Sequence, residues 1–153
     1  MKPSKDAQDF LSTLLFICER EDDDDCPLKG KTVFDFSAPF VAGVESFING
    51  FKAHLEAKGF DMGRLDQLEN SFGGNVFASL SGAGIGFFDE YGDEEKTLGD
   101  ELQAAIEEYA GKYRFEQIDV CEDEDGKLDL AFIPSALPEY RRKLFEVKPL
   151  ATA

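Results

Sequence analysis

The chain has 153 residues, a length typical of one domain, and its 42% hydrophobic residues, with 15 Phe among them, are sufficient for a packed core. Its 32 acidic residues outnumber the 16 Lys and Arg, and the formal net charge of −16 opposes direct binding to nucleic acid or to anionic lipid headgroups. We therefore expect a single acidic domain over residues 1–153 that binds neither nucleic acid nor membranes.

The cysteines and the N-terminus predict a cytoplasmic protein. Cys18, Cys26 and Cys121 have no metal-ligand spacing, and an odd cysteine count without a signal peptide favours a reducing compartment. The polar N-terminus lacks the apolar stretch of a signal peptide, and no apolar run is long enough to cross a bilayer. We expect neither a metal nor a cofactor.

Two helices are predicted in the first half of the chain, each from a capping residue and an apolar face. Ser4 is a suitable N-cap for a helix that continues to about Glu19. A second helix follows Ser37, has Pro39 in its first turn and ends at Gly59. Its apolar face consists of Phe40, Val44, Phe47, Ile48, Phe51 and Leu55. Residues 19–31 lie between the helices, contain four consecutive Asp and have no apolar period, which predicts a flexible, solvated loop.

The rest of the chain is predicted to form two β-hairpins separated by a helix. After a short helical stretch around Leu65 and Leu68, residues 76–81 and 85–88 are predicted to be strands joined by a glycine-rich turn. A helix is predicted from Thr97 to near Gly111, and a second hairpin turns at residues 125–126. The predicted fold is therefore α+β, a single domain with a mostly antiparallel sheet of about four strands and helices packed on one face.

The negative charge is concentrated in two segments. Residues 89–129 contain 16 acidic and four basic residues, and residues 19–26 contain six acidic and one basic residue. The remainder of the chain is nearly neutral. Such concentration favours a binding surface over a general adaptation for solubility, although a charged run is also the usual composition of a solvated face. Both interpretations stay open at this stage.

The acidic segments predict a surface that resembles DNA in its charge density. Duplex DNA carries about one negative charge per 1.7 Å of its axis, and carboxylates along a helix and two loops can approximate that density. The predicted partner-binding surface consists of Asp22, Asp23, Asp24, Asp25, Asp89, Glu90, Asp93, Glu94, Glu95, Glu101, Glu108, Glu122, Asp123, Glu124 and Asp125.

Three short segments resemble a family of small acidic proteins found in bacteriophages and prophages. They are GIGFFD at residues 84–89, LGDEL at residues 98–102 and DEDGK at residues 123–127. The usual family patterns are Gly-x-Gly-Phe-Trp-Asp, Leu-Gly-Asp/Glu-x-Leu and Asp-Asp-Gly-Lys. Phe88 stands where the family has Trp, and Ala83 stands where it often has His. The resemblance implies a phage or mobile-element origin and a location in the host cytoplasm.

These observations lead to one functional prediction and two alternatives. The prediction is an inhibitor that mimics DNA and occupies the basic cleft of a host nucleic-acid-binding defence protein, such as a restriction enzyme or a CRISPR effector. One alternative is a non-catalytic accessory protein that binds a partner through exposed aromatic residues, for which Phe16, Tyr91, Tyr140 and Phe145 are candidates.

The other alternative is a small carboxylate-based enzyme. No catalytic constellation is recognisable in the sequence, so we expect no enzymatic activity. We expect the basic residues Arg141, Arg142 and Lys143 to pair with the acidic surface of the same chain, which would fix the C-terminus in place, or with that of a second copy, which would give a homodimer.

Overall fold

A computed structural model of the chain describes residues 2–18, 22, 24–26, 28–81, 86–87, 97–110 and 120–130. The helices in these ranges are α1 (Lys5–Cys18), α2 (Ala38–Ala57), α3 (Phe72–Ser81) and α4 (Thr97–Ala110), and the strands are β1 (Val120–Glu122) and β2 (Leu128–Leu130). Two 3-10 turns flank α2, at Val33–Asp35 and Met62–Gln67.

The predicted α+β fold with about four antiparallel strands is wrong. The described residues are mostly helical, and their only sheet consists of two strands of three residues each. Strands β1 and β2 pair antiparallel, with Val120 opposite Leu130 and Glu122 opposite Leu128. None of the described helices combines the length and the apolar composition that a bilayer span requires.

Helices α1 and α2 form where capping residues and apolar spacing predict them. The Ser4 hydroxyl accepts a hydrogen bond from the backbone N–H of Ala7 at 3.1 Å, and the Ser37 hydroxyl accepts one from that of Phe40 at 3.2 Å. Gly59 follows the end of α2 with a φ of +80°, a conformation that glycine adopts without strain. All six residues of the predicted apolar face of α2 are buried.

Aromatic rings from four parts of the chain meet in the core. Phe51 of α2 stacks on Phe72 of α3 with 5.8 Å between ring centroids, and it also contacts Phe87 and Tyr109. Helix α4 adds the buried side chains of Leu98, Leu102 and Ile106. Helix α2 contributes the longest buried face, and the most extensive contact between helices is that of α1 with α3.

The predicted strand at residues 76–81 is instead part of the helix α3. Nearly every residue from Phe72 to Leu80 is buried, so the segment has no polar face and no visible helical period. A short apolar run of this kind fits a buried strand and a buried helix equally well. Gly86 and Phe87, which were expected in the partner strand, belong to no strand, and the predicted turn and the other two residues of that strand lie outside the described residues.

Glycine allows α3 to lie directly against α1. A Cβ atom at Gly73 would be only 2.7 Å from the carbonyl carbon of Asp6 and 3.0 Å from its Cα. At Gly74 the obstacles would be the hydroxyl groups of Ser71 and Thr13, at 2.6 and 2.8 Å. Gly73 therefore marks the site where the two helices touch backbone to backbone, and Gly74 leaves room for two hydroxyl groups beside it.

The second predicted hairpin is present and is attached to the start of α2. The backbone N–H of Ser37 donates to the carbonyl oxygen of Leu128 at 2.8 Å, and Phe36 forms a parallel bridge with Leu128. Gly126 has a φ of +75° in the predicted turn. Residues 111–119 and 131–153, which flank this hairpin in the chain, lie outside the described residues.

Candidate acidic interaction surface

The loop that follows the first acidic segment contacts the hairpin of the second acidic segment beside the N-terminus of α2. Lys31 Nζ donates to the carbonyl oxygen of Gly126 at 3.1 Å and lies 3.5 Å from the carboxylate of Glu122. Lys29 pairs with Asp24 at 3.0 Å. We call the described residues 22, 24–25, 28–35 and 120–130 the acidic face. It contains nine carboxylates and three lysines, so a strong negative charge remains after all lysines are paired.

Several carboxylates of the acidic face are open to solvent. Asp22, Asp24, Glu122, Glu124 and Asp125 are exposed. The ion pair of Asp24 with Lys29 is at the surface, where such pairs contribute little, whereas the partner of Glu122, Lys31, is mostly buried. Within the described parts of the chain, no ion pair involves Asp22, Glu124 or Asp125. These carboxylates are available to cations of a partner.

Asp123 has a structural role in the hairpin turn. Its carboxylate accepts hydrogen bonds from the backbone N–H groups of Asp125 and Lys127, both at 2.9 Å. This pattern is the usual way in which Asp stabilises a turn. The predicted site residue therefore maintains the shape of the acidic face.

The turn Val33–Asp35 adds two residues that the sequence analysis did not identify. Phe34 is 59% exposed, and Asp35 forms a capping box with Thr32. Hydrogen bonds from Thr32, chiefly from its backbone N–H, hold the pKa of Asp35 below its ordinary value, and nearby Lys127 and Lys31 add to this effect. The Thr-x-x-Asp spacing could have revealed the capping box, whereas nothing in the sequence distinguishes Phe34 from the core phenylalanines.

The predicted residues Glu101 and Glu108 lie at the opposite end of α2. Glu101 pairs with Arg64 at 2.6 Å, and Glu108 accepts two hydrogen bonds from Lys58, one of 2.6 Å. Helix α2 has 20 residues and is therefore about 30 Å long, which separates these pairs from the acidic face at its start. The described residues of the predicted binding surface thus fall into two separate groups, and Arg64 and Lys58 neutralise the second group, Glu101 and Glu108.

An open groove of about 510 Å³ lies beside this second group. Its walls include Leu55, Phe60 and Ala105 as well as the paired Lys58 and Glu108. The hydrogen bond from Lys58 lowers the pKa of Glu108, and a catalytic general acid would need a shift in the other direction.

His54, the single histidine, also faces Glu108. Its Nε2 atom is 3.6 Å from the Glu108 carboxylate, its ring packs on Tyr109, and its side chain is mostly buried.

The remaining predicted binding residues divide into exposed and undescribed positions. Phe16, on the outer side of α1, is 83% exposed. The acidic residues 23, 89, 90 and 93–95 and the aromatic residues 91, 140 and 145 lie outside the described residues. In the described ranges, no three His, Cys, Asp or Glu side chains are grouped closely enough to hold a metal ion.

Comparison with protein-family models, curated proteins and solved structures finds no match for this chain. The resemblance to small acidic phage proteins therefore stays a prediction from three short segments.

Proposed function

We propose that the protein binds the basic, nucleic-acid-binding surface of a protein partner through its acidic face and thereby competes with nucleic acid. The observation that carries this proposal is the contact of Lys31 with Glu122 and Gly126. Through this contact, the loop that follows the first acidic segment lies against the hairpin of the second, 95 residues later in the chain.

The balance of charges on this face favours a cationic partner. Nine carboxylates and three lysines leave an excess negative charge on a small region, which attracts a basic surface over several ångströms and accelerates association. The same charge repels nucleic acid. The carboxylates of Glu101 and Glu108 are not part of this proposal, because Arg64 and Lys58 already neutralise them.

The exposure of Phe16 favours a second candidate function. An aromatic side chain that is 83% exposed on a helix is available for an apolar contact with a partner. In that case, binding would depend on Phe16 and would persist at high ionic strength, whereas binding through the acidic face weakens as salt is added.

The proposal is tested by affinity capture from bacterial lysate, with and without competing duplex DNA. The test variant combines Asp22→Asn, Glu124→Gln and Asp125→Asn, which removes three open carboxylates and leaves the Asp123 turn and the Lys31 contacts intact. A matched control combines Glu56→Gln, Asp66→Asn and Glu69→Gln, three exposed positions outside the acidic face. Both variants have the same net charge.

The wild type and the control variant are expected to capture the same nucleic-acid-binding protein, which duplex DNA displaces. The test variant is expected to lose that capture. Equal capture by all three proteins, or capture that DNA does not displace, would contradict the proposal. Loss in both variants would show that only net charge matters and would contradict the assignment to this face.

A further inference from the structure

We infer that the acidic face docks on a protein surface where Lys and Arg side chains surround an apolar pocket, and that Phe34 enters this pocket. The inference rests on the proposed function, because it specifies the partner surface that the acidic face recognises. It adds an apolar anchor to an interaction that charge alone would leave weakly specific.

The position of Phe34 differs from that of most other phenylalanines in the described chain. Phe16 and Phe34 are the only large hydrophobic residues of the described part that are exposed. Phe34 lies on a single 3-10 turn whose neighbours point elsewhere: Val33 packs partly against the core, and Phe36 is buried. The turn is thus attached to the core on both sides while Phe34 remains in solvent.

The backbone of Phe34 is fixed in place by three hydrogen bonds around it. The N–H of Phe34 donates to the Thr32 hydroxyl at 3.2 Å, and the N–H of Thr32 donates to the Asp35 carboxylate at 2.7 Å. From the hairpin, Lys127 Nζ donates to the carbonyl oxygen of Phe34 at 3.3 Å. An anchor whose backbone is already ordered loses little conformational entropy on binding, because only its two side-chain torsions remain to be restricted.

The surrounding charges define the chemistry of the partner. Two lysines near Phe34 are engaged within the chain, Lys31 with Glu122 and Lys127 with the Phe34 carbonyl oxygen. The excess carboxylates of the acidic face therefore repel both nucleic acid and a second copy of this acidic surface. A protein surface with a cationic rim and an apolar centre satisfies the anchor and the carboxylates together.

Two synthetic peptides without Trp test the inference. In both, Lys and Arg residues flank a central pair, which is Leu-Leu in one peptide and Ser-Ser in the other. Binding of each peptide is measured by calorimetry for the wild type, for Phe34→Ala and for the variant lacking the three open carboxylates. The chain contains no Trp, so Phe34→Trp also introduces a single tryptophan reporter at the anchor.

Phe34→Ala is expected to weaken binding of the Leu peptide by at least about tenfold and to leave binding of the Ser peptide unchanged. The emission of Phe34→Trp is expected to shift to shorter wavelength with the Leu peptide alone. The carboxylate variant is expected to lose affinity for both peptides. Because Phe34 is exposed, thermal unfolding of Phe34→Ala is expected to match that of the wild type.

The opposite results separate this inference from the proposed function. If the wild type and Phe34→Ala bind the Leu peptide equally, or if Phe34→Ala weakens both peptides to the same extent, the anchor role is overturned and charge-driven binding is retained. If the wild type binds neither peptide, both the inference and the proposed function are overturned.

Discussion

The packing of Tyr109 against α2 predicts that Gly50→Ala destabilises the protein, although alanine is the better helix former. In a helix interior, Ala is more favourable than Gly by about 0.5–1 kcal/mol. At this position, however, the new Cβ would overlap the Tyr109 hydroxyl and lie 3.3 Å from its Cζ atom. Tyr109 cannot easily move, because its ring contacts Phe47, Phe51 and His54 at centroid distances of 5.3–5.6 Å.

The expected magnitude follows from these opposing contributions. Overpacking of this kind costs roughly 1–3 kcal/mol, so the gain in helix propensity is outweighed and Gly50→Ala should lower the free energy of unfolding by roughly 1 kcal/mol. Tyr109→Phe removes the overlapping oxygen and a long hydrogen bond of 3.4 Å to the Phe47 carbonyl, which should cost less than about 1 kcal/mol. With the oxygen gone, Gly50→Ala should be neutral or stabilising.

Urea unfolding followed by circular dichroism measures this double-mutant cycle. The two substitutions are expected to be non-additive, with the double variant more stable than the sum of the single effects by roughly 1–2 kcal/mol. If Gly50→Ala stabilises the wild type as much as it stabilises Tyr109→Phe, the hydroxyl does not occupy the space beside Gly50 and the reasoning is refuted.

Three further predictions concern the core and its titrating groups. Gly73→Ala should lower the free energy of unfolding, measured in urea, by about 3 kcal/mol, because its new Cβ would meet the backbone of Asp6. An unchanged urea midpoint would contradict the close contact between α1 and α3. Burial raises the pKa of Tyr109. The neutral phenol therefore contributes its full stability below about pH 10, and this contribution is lost as the pH rises through the raised pKa of the folded protein. Between about pH 9 and 11, Tyr109→Phe should lose less stability than the wild type. The hydrogen bond from Lys58 lowers the pKa of Glu108, so the Glu108 carboxylate stabilises the fold above about pH 4.3, and this stabilisation is lost as the pH falls through the lowered pKa. The melting temperature of Glu108→Gln should therefore decrease less steeply with acidification than that of the wild type. An equally steep decrease would contradict the lowered pKa.

Local signals account for the elements that could be predicted. Each of these signals depends on residues only a few positions apart in the chain, so it can be recognised without knowledge of the rest of the fold. They are the caps Ser4 and Ser37, the helix end at Gly59 and the turn at Gly126. The helix α4 was predicted for the same reason, from a spacing of apolar residues that leaves one face for the core.

Helix α3 shows why the fold class could not be predicted. Nearly every residue from Phe72 to Leu80 is buried, so the polar face that reveals a helix in a sequence is missing. Whether Gly73 ends an element or permits a close helix contact depends on α1, which begins more than sixty residues earlier in the chain. The same limitation applies to Phe34, since burial of one phenylalanine and exposure of another are properties of the packed molecule.

The sequence by itself determined the net charge, its concentration in two segments, and the positions of three helices and a hairpin turn. Only the tertiary structure decided which carboxylates become neighbours: Lys31 joins the Asp-rich loop to the hairpin, while Arg64 and Lys58 neutralise Glu101 and Glu108 at the far end of α2. Charge is a property of each residue and can be counted along the chain. Which carboxylates and cations from distant segments pair with each other depends on contacts that form only when the chain folds.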